Sequence, residues 1–318
     1  MSLWASKRVV VTGGAGFLGS HVIRELESAG CREVLVVRSR DYDLTKEGGA
    51  IRLMADTQPD IVFHLAGLVG GIGANKARPA DFFYQNLMMG TFMLHHACRA
   101  KVEQFVAAGA GCGYPEHAPM PLKETDFWSG LPQAESAPYS LAKRLLQIQS
   151  LAYHQQYGFV SIIGVPGNVY GPDDNFDLEA SHVVPALVRK FVDAQERREK
   201  RVVVWGTGRP SRDFVYASDV ARGLLLACER YKGPELVNIS SGVETTVAEL
   251  VETLVSITGF EGEVVWDESR PDGQARRCFD ISKAERDLGF RPAVGLREGL
   301  ERTVDWYRAN KVAARLVA

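Results

Sequence analysis

A tyrosine and a lysine four residues apart, Tyr139 and Lys143, have the clearest chemical potential of any pair in this sequence. Residues i and i+4 share one face of a helix, so the two side chains are expected to lie side by side. An ammonium beside a phenol favours the phenolate and lowers the pKa of the tyrosine from its usual value of about 10. We therefore predict that Tyr139 is a general acid or base near neutral pH, and that Lys143 tunes it and holds ribose hydroxyls.

A glycine-rich turn near the start of the chain, Gly13-x-x-Gly16-x-x-Gly19, is the second chemical feature. It follows a β-branched run at 8–12 and precedes a segment of helical composition, which is the position of a phosphate-binding turn. Glycines let the backbone approach a pyrophosphate, and a helix N-terminus supplies N–H donors and partial positive charge. The spacing is not the commoner GxGxxG, and a plain tight turn is the alternative. The strand–turn–helix context favours dinucleotide binding.

The end of the second strand-like run indicates which dinucleotide binds. An acidic residue there would select a free ribose 2′-hydroxyl, but Arg38 and Arg40 occupy this place. Guanidinium groups stay charged and pair bidentately with a 2′-phosphate, which favours NADP(H) over NAD(H); two solvated surface arginines are the alternative. The predicted cofactor contacts are Gly13, Gly16, Phe17, Leu18, Arg38, Arg40, Asp43, Leu44, Leu65, Ala66, Tyr139 and Lys143.

Strands and helices alternate around these residues. Short continuous apolar runs predict parallel strands buried on both faces, and the segments between them predict covering helices. We expect an α/β fold with a doubly wound, parallel, Rossmann-like sheet. The predicted strands are 8–12, 33–37, 60–66, 104–108 and 160–165, and the predicted helices are 20–29, 82–100 and 139–157.

Beyond Asn168 the pattern becomes less regular, with prolines, acidic loops and shorter elements. Segments 202–205 and 235–239 still resemble sheet strands, and 247–258 and 296–310 resemble amphipathic helices. We predict an NADP-binding domain of residues 1–167 plus about 201–240. A smaller, partly discontinuous α+β domain of about 168–200 plus 241–318 is expected to bind the substrate.

The composition disfavours several classes of protein. Of 318 residues, 46% are hydrophobic and 24% are charged, and the formal net charge is −2, which argues against a disordered chain and a nucleic-acid binder. No apolar run reaches the ~18 residues of a membrane span, and the N-terminus lacks a signal-peptide cleavage site. Five scattered cysteines, without CxxC spacing, predict a cytoplasmic protein with reduced thiols and no metal site.

Together, the glycine turn and the Tyr-x-x-x-Lys pair resemble the extended short-chain dehydrogenase/reductase superfamily. Further segments narrow the resemblance to the GDP-L-fucose synthase family, the GDP-4-keto-6-deoxy-mannose 3,5-epimerase/4-reductases, over nearly the whole chain. These segments are Val69-Gly70-Gly71-Ile72, Tyr84-Gln85-Asn86, Cys112-Gly113-Tyr114-Pro115, Asn168-Val169-Tyr170-Gly171-Pro172-Asp173-Asp174-Asn175-Phe176, Ser181-His182-Val183-Val184-Pro185 and Trp205-Gly206-Thr207-Gly208.

This resemblance implies catalytic roles for four residues. Tyr139 would donate a proton to the sugar O4 while NADPH delivers hydride to C4, and Lys143 would bind the nicotinamide ribose. Cys112 and His182 would exchange protons at C3 and C5, beside the 4-ketone. A thiol and an imidazole, with intrinsic pKa values of about 8.5 and 6.5, can both work near neutral pH. Without the family pattern, a small buried thiol and a histidine at a helix start would be the simpler interpretations.

The resemblance also implies a nucleotide-sugar site in the second half of the chain. Arg212 resembles the diphosphate-binding arginine of the family, and segment 271–277 resembles its sugar-nucleotide loop. Arg189 and Lys190, in the segment that follows His182, could reach a diphosphate or guanine, although any of these cations could be ordinary surface charge. The predicted substrate contacts are Asn168, Arg189, Trp205, Arg212 and Asp272.

A homodimer is a further implication of the resemblance. The family interface is a four-helix bundle, built in each protomer from the helix after Asn86 and the helix that starts at Tyr139. The apolar residues available for it are Leu145, Ile148 and Tyr153 on one helix and Met93 and Leu94 on the other. The same side chains could equally face the core of their own protomer.

One position departs from the family pattern. The family has a serine two residues before the cysteine, completing a Ser-Tyr-Lys triad, and this chain has Ala110 there. The missing hydroxyl normally orients the substrate oxygen and stabilises it during hydride transfer, and the loss of one such donor can cost on the order of 3 kcal/mol. A water or another hydroxyl could replace it, reduction could be slow, or the enzyme could favour epimerisation.

Two other functions therefore stay open beside an NADPH-dependent nucleotide-sugar 3,5-epimerase/4-reductase. One is a related epimerase or reductase that acts on a GDP-heptose or another nucleotide sugar. The other is a non-catalytic protein that senses NADP, which Ala110 alone favours. Such a sensor would have no use for the four residues Tyr139, Lys143, Cys112 and His182.

Overall fold

The computed structural model describes residues 3–178, 181–270 and 272–314. The strands are β1 Arg8–Thr12, β2 Glu33–Val37, β3 Ile61–His64, β4 Gln104–Ala108, β5 Ser161–Pro166, β6 Asn168–Tyr170, β7 Arg201–Trp205, β8 Ser211–Tyr216, β9 Glu235–Ile239, β10 Glu244–Thr246, β11 Glu263–Asp267 and β12 Arg276–Arg277. The helices are α1 Phe17–Ser28, α2 Glu47–Thr57, α3 Ile72–Ala77, α4 Pro79–Arg99, α5 Ala137–Tyr157, α6 Val183–Glu196, α7 Ala217–Arg230, α8 Val247–Thr258, α9 Ser282–Leu288 and α10 Leu296–Ala314.

A six-stranded parallel sheet of order β2-β1-β3-β4-β5-β9 forms the centre of the fold. Alternate side chains of each strand enter opposite cores, as in β1, where Val10 packs with α2, α4 and α5 while Val9 and Val11 pack with α1, α7 and α9. Burial on both faces explains the continuous apolar runs in the sequence. The predicted α/β, doubly wound, Rossmann-like class is confirmed.

Several helices begin earlier than their composition predicts. α4 starts at Pro79 rather than at residue 82, because proline needs no hydrogen-bond partner in the first helical turn. α1 starts at Phe17 rather than at residue 20 and includes Gly19, where a Cβ atom would lie 2.1 Å from the Gly13 carbonyl oxygen. The turn and the helix are thus packed together too closely for any side chain at this glycine.

Smaller sheets make up the second part of the molecule. β8 pairs with β6, β10 and β12, and β7 pairs with β11, around a third core that includes Phe191, Leu254 and Tyr307. The prediction that segment 202–205 belongs with the nucleotide-binding half is wrong, because β7 lies outside the six-stranded sheet. Its burial alternates, with Val202 and Val204 inside, as in a strand with one solvated face.

The two parts meet where β5 leads into β6. At Gly167 a Cβ atom would lie 1.9 Å from the Ser240 hydroxyl oxygen, so the connection passes through a space that admits only glycine. The carboxyl ends of β1, β3, β4 and β5 face this junction, which is where ligands bind in open α/β sheets. In the part of the chain that the structure describes, no helix has the length and apolar character to cross a membrane.

Candidate active site

A single cleft of about 2270 Å³ runs between the carboxyl edge of the central sheet and the second part of the molecule. All the predicted cofactor and catalytic residues line it, and so do four of the five predicted substrate residues. The lining includes Gly13, Gly16, Phe17, Leu18, Arg38, Arg40, Asp43, Leu44, Leu65, Ala66, Cys112, Tyr139, Lys143, Asn168, His182, Trp205, Arg212 and Asp272. Local motifs separated by more than a hundred residues thus meet in one space.

The glycine turn shapes one end of this cleft. Gly13 has a φ of 70°, and a Cβ atom there would lie 2.7 Å from the backbone nitrogen of Ala66. Gly16 caps α1 in extended conformation and carries no side chain that would cover the first N–H groups of the helix. Unpaired N–H groups at a helix start attract anions. The turn therefore fits a dinucleotide pyrophosphate.

Arg38 and Arg40 lie exposed at the adjoining edge of the cleft, directly after β2. The Arg40 Nε atom is 3.6 Å from the Asp41 Oδ1 atom, a surface ion pair that contributes little. Both guanidinium groups are therefore placed to receive a phosphate at the adenosine end of a dinucleotide. Asp43 is also exposed, whereas Leu44 is mostly buried in the core behind the cleft wall.

Tyr139 and Lys143 project from the first turns of α5. Burial lowers the pKa of the Lys143 amine to about 8, with a negative charge on Cys112 acting in the opposite direction. Burial raises the pKa of the Tyr139 phenol, and Cys112 raises it further. The prediction that the lysine lowers the tyrosine pKa is wrong for this structure. Desolvation of the phenol is the larger effect, and it keeps Tyr139 protonated and ready to act as an acid.

Cys112 lies in a short 3₁₀ turn, Gly111–Gly113, that follows β4. At Gly111 a Cβ atom would lie 2.7 Å from the Phe279 ring, so the turn packs directly against the second part of the molecule. Burial lowers the pKa of both Lys143 and Arg277, and a negative charge on Cys112 would act in the opposite direction on each. The thiol is therefore close enough to both cations to interact with them.

His182 immediately precedes α6 and opens onto the same cleft. Much of its side-chain surface stays accessible, but the surrounding cleft atoms displace enough solvent to lower its pKa. The imidazole is therefore neutral near physiological pH, the form that can accept a proton. Cys112 and His182 come from opposite parts of the fold and supply two acid/base groups to one space.

Cations surround the far end of the cleft. Burial, together with repulsion from Arg277, lowers the pKa of Arg212 to about 10, and Asp272 opposes this shift. Arg212 and Arg277 are partners in the register of β8 and β12, so two partly desolvated guanidinium groups lie side by side. Such a pair fits a diphosphate. The sequence predicted only that Arg277 belongs to a loop. The strand β12, which pairs Arg277 with Arg212, has two residues and is too short to show a strand pattern in the sequence.

The exposed indole of Trp205 lies between two further cations. Lys190 Nζ is 5.1 Å and the Arg270 guanidinium carbon is 4.9 Å from its ring centre. Asp272 is not free to bind a ligand in the same way, since its carboxylate accepts hydrogen bonds from the backbone nitrogen and the hydroxyl of Thr207 at 2.7 and 2.8 Å. Asp272 thereby stabilises the turn that follows Trp205. Pro271, which the sequence-based loop includes, lies outside the described residues.

Arg189 is the one predicted substrate residue that does not line the cleft. Its Nη1 atom donates to the Phe176 carbonyl at 3.0 Å, and its Nε atom is 4.0 Å from Asp193. The neighbouring Lys190 lines the cleft instead. Successive helical residues point about 100° apart, and the packing of α6 decides which of the two faces the ligand space. Asn168 lines the cleft while its amide donates to the Asp213 carbonyl.

Three polar groups in the cleft wall escaped sequence reasoning. The Asp174 Oδ2, Asn75 Oδ1 and Ser181 hydroxyl oxygen atoms are buried, and none has a hydrogen-bond partner. Burial raises the pKa of Asp174 to about 8, with the Asn175 N–H acting in the opposite direction. These groups become visible only when burial is known. Within the described residues, no group of three or more His, Cys, Asp or Glu side chains could hold a metal ion.

Comparison with known proteins identifies the family. The profile of the NAD dependent epimerase/dehydratase family matches residues 9–240. The chain belongs to this family. It is 39% identical over 309 residues to the probable GDP-L-fucose synthase 1 of Oryza sativa subsp. japonica, covering 97% of this chain and 94% of that protein. It is 35% identical to the GDP-L-fucose synthase of Escherichia coli K12, covering 96% and 98% of the two chains.

A solved structure agrees with the sequence comparison. A GDP-L-fucose synthetase from Naegleria fowleri, in a crystal structure bound to NADP, superposes with a TM-score of 0.91 at 27% identity. The match covers 99% of this chain and 96% of that chain. The resemblance to GDP-L-fucose synthases found from the motifs is confirmed.

Proposed function

We propose that this enzyme is an NADPH-dependent 3,5-epimerase/4-reductase of a GDP-4-keto-6-deoxy-hexose. The observation that carries the proposal is the meeting of two catalytic pairs, Tyr139 with Lys143 and Cys112 with His182, in one cleft. A dinucleotide cradle lies at one end of this cleft and paired arginines lie at the other. The GDP-L-fucose synthase relatives and the NADP-bound neighbour support the same reaction and cofactor.

Epimerisation uses Cys112 and His182. A hydrogen on a carbon beside a ketone is acidic, and inversion needs proton removal from one face and delivery to the other. The neutral imidazole of His182 can accept a proton, and the thiol of Cys112 can donate one. Cys112 follows β4 and His182 precedes α6, and these separate origins support the assignment of the two groups to opposite faces of the sugar.

Reduction uses Tyr139 and Lys143. NADPH, when bound, supplies the hydride for the sugar C4. The protonated Tyr139 phenol donates its proton to the sugar O4, and the Lys143 ammonium holds the ribose hydroxyls close to α5. Arg212 and Arg277 anchor the diphosphate of the nucleotide sugar, which fixes the sugar ring relative to these groups.

The direct test is incubation of the purified protein with NADPH and GDP-4-keto-6-deoxy-mannose, followed by NMR of the product. We expect stoichiometric NADPH oxidation and a 6-deoxy hexose inverted at C3 and C5. Tyr139→Phe removes the proton donor and should stop reduction while hydrogen exchange at C3 and C5 continues. A wild-type protein that binds both ligands and neither exchanges nor reduces would contradict the proposal.

We expect the wild-type protein to bind NADPH at least tenfold more tightly than NADH. Removing both guanidinium groups in an Arg38→Ala/Arg40→Ala variant should weaken NADPH binding by roughly tenfold and leave NADH binding nearly unchanged. Isothermal titration calorimetry measures all four dissociation constants. Arg32→Ala, at an exposed arginine outside the cleft lining, is the matched control. Equal wild-type affinity for the two cofactors would show that these arginines do not select the 2′-phosphate.

A homodimer through α4 and α5 is the assembly that we propose. Leu145, Ile148 and Leu151 are 41%, 45% and 43% exposed and lie along one side of α5. Met93 and Leu94, by contrast, are fully buried in the core of the protomer, so the prediction that they contribute to the interface is wrong. An exposed apolar row of this kind is suited to pack against the same row of a second copy of the chain. Analytical ultracentrifugation, with Ile148→Glu as the disrupting variant, measures the state of assembly.

We also propose a cytoplasmic location. The five cysteines of the chain are free, including Cys112 in the cleft. A thiol that must stay reduced to transfer protons is suited to a reducing compartment.

A further inference from the structure

Ala110 stands where the family has a serine, so this position supplies no hydrogen-bond donor for the reduction step. Its side chain is 7% exposed and lines the cleft one residue before the turn that carries Cys112. A methyl group cannot donate a hydrogen bond to a sugar oxygen that gains negative charge. A side-chain hydroxyl on the cleft wall near the Tyr139 phenol is therefore a candidate for this bond.

Ser136 is the residue whose position fits this requirement. It immediately precedes α5, lines the cleft and is 8% exposed. Serine at this place normally accepts a hydrogen bond from the first helical turn, but the Ser136 hydroxyl makes no such bond. It donates to the Gln133 carbonyl only across 3.4 Å, at the outer limit for a hydrogen bond. Its proton is therefore nearly free to turn to a ligand.

Helix geometry brings Ser136 and Tyr139 to the same place. Residues i and i+3 share a face, and aromatic side chains on a helix lean over the preceding turn, here the turn that contains Ser136. Both residues line the cleft, and α5 packs against the Gly111–Gly113 turn next to Ala110. The Tyr139 and Ser136 side chains are thus neighbours on the cleft wall.

A second serine lies next to the first. Ser140 is fully buried, and its hydroxyl donates to the Ser136 hydroxyl oxygen at 3.4 Å. This contact is as long as the one to Gln133, so it holds Ser136 only weakly and leaves its proton available to a ligand.

We propose that Ser136 donates the hydrogen bond to the sugar O4 that Ala110 cannot make. This assignment rests on the proposed function. As hydride reaches C4 and the carbonyl bond opens, the Tyr139 proton moves to O4, and Ser136 keeps its own proton throughout. The products are the alcohol, NADP⁺ and a tyrosinate that solvent reprotonates. Ser136 is thus a catalytic residue that took over the task of a serine absent from position 110.

The kinetic test compares Ser136→Ala with wild type in single turnovers of NADPH oxidation. We expect the rate to fall by about thirtyfold with little change in KM, because the bond strengthens as charge develops on O4. Exchange at C3 and C5 should persist, since it uses Cys112 and His182. Adding Ala110→Ser to the Ser136→Ala variant should raise the rate of NADPH oxidation at least tenfold above that of Ser136→Ala alone. Ser150→Ala, at a buried α5 serine bonded to Ser161 outside the cleft, is the matched control.

A second readout needs no bound cofactor. In a sugar labelled with ¹³C at C4, a hydrogen bond to the ketone oxygen moves the C4 resonance of the bound form downfield. We expect this displacement in the cofactor-free wild type and a clearly smaller one in Ser136→Ala, where the Tyr139 phenol is the remaining donor. A merely structural role for Ser136 would leave the resonance unchanged.

Several results would contradict the assignment. Wild-type reduction that survives Ser136→Ala at full rate overturns the role of Ser136 and leaves the proposed function intact. If Ser181→Ala slows NADPH oxidation and moves the C4 resonance while Ser136→Ala does neither, the hydrogen-bond donor is the unpaired Ser181 hydroxyl and not Ser136. A wild-type protein that exchanges hydrogen but never reduces the ketone would contradict both the assignment and the reductase half of the proposed function.

Discussion

Replacing Cys112 with serine is expected to slow exchange of the sugar C3 and C5 hydrogens with solvent by about a thousandfold. A hydroxyl is far weaker than a thiol as an acid or base near neutral pH, although it has nearly the same size. Cys112, Lys143 and Arg277 line the same cleft, so the replacement removes a proton-transfer group from the site. Binding of NADPH should be unchanged, because the glycine turn and the arginines are untouched.

Deuterium incorporation from heavy water, followed by NMR, measures this exchange directly. His182→Asn should impair the same step by removing the partner group. Cys31→Ser replaces a half-buried thiol that hydrogen-bonds backbone carbonyls away from the cleft, and it is the matched control. Undiminished incorporation of deuterium in the Cys112→Ser variant would remove this residue from the mechanism.

Replacing Asp174 with asparagine is expected to raise the free energy of unfolding by about 4 kcal/mol near pH 7. Burial raises the pKa of this carboxyl to about 8 in the folded protein, whereas an aspartate in the unfolded chain titrates near about 3.9. Between these values the folded protein holds one more proton than the unfolded chain. Its stability therefore falls as pH rises through this window. Asparagine matches the neutral acid in shape and has no such cost.

Thermal denaturation of both proteins across this pH window tests the prediction. The stability gain should be small near pH 4 and grow with pH up to about 8. Asp173→Asn is the control, because its carboxylate is partly exposed and paired with Arg24. Parallel stability curves for wild type and Asp174→Asn would show that the carboxyl does not change its protonation on folding. A buried acid with one unpaired oxygen, kept in the cleft wall at such a cost, is typical of functional sites.

Much of the central fold could be predicted from short segments of the chain. The runs at 8–12, 33–37, 104–108 and 235–239 match β1, β2, β4 and β9 at both ends. Strands buried on both faces need continuous apolar runs, and that requirement is visible in the sequence without knowledge of the neighbouring strands. The weaker pattern of β7 led to its misplacement, because its partner β11 lies some sixty residues further along the chain.

The candidate site divides in the same way. By itself, the sequence determined the glycine turn, the Tyr139–Lys143 pair, the arginines after β2 and the absence of a serine at position 110. Each depends on residue type and local spacing alone. The tertiary structure decided that Lys190 rather than Arg189 faces the cleft, that Arg277 joins Arg212, and that one carboxylate oxygen of Asp174 is buried without a hydrogen-bond partner. It also showed that the Tyr139 pKa rises. The physical reason is that desolvation and the facing of a side chain depend on which distant segments pack around it, and local spacing carries no information about those segments.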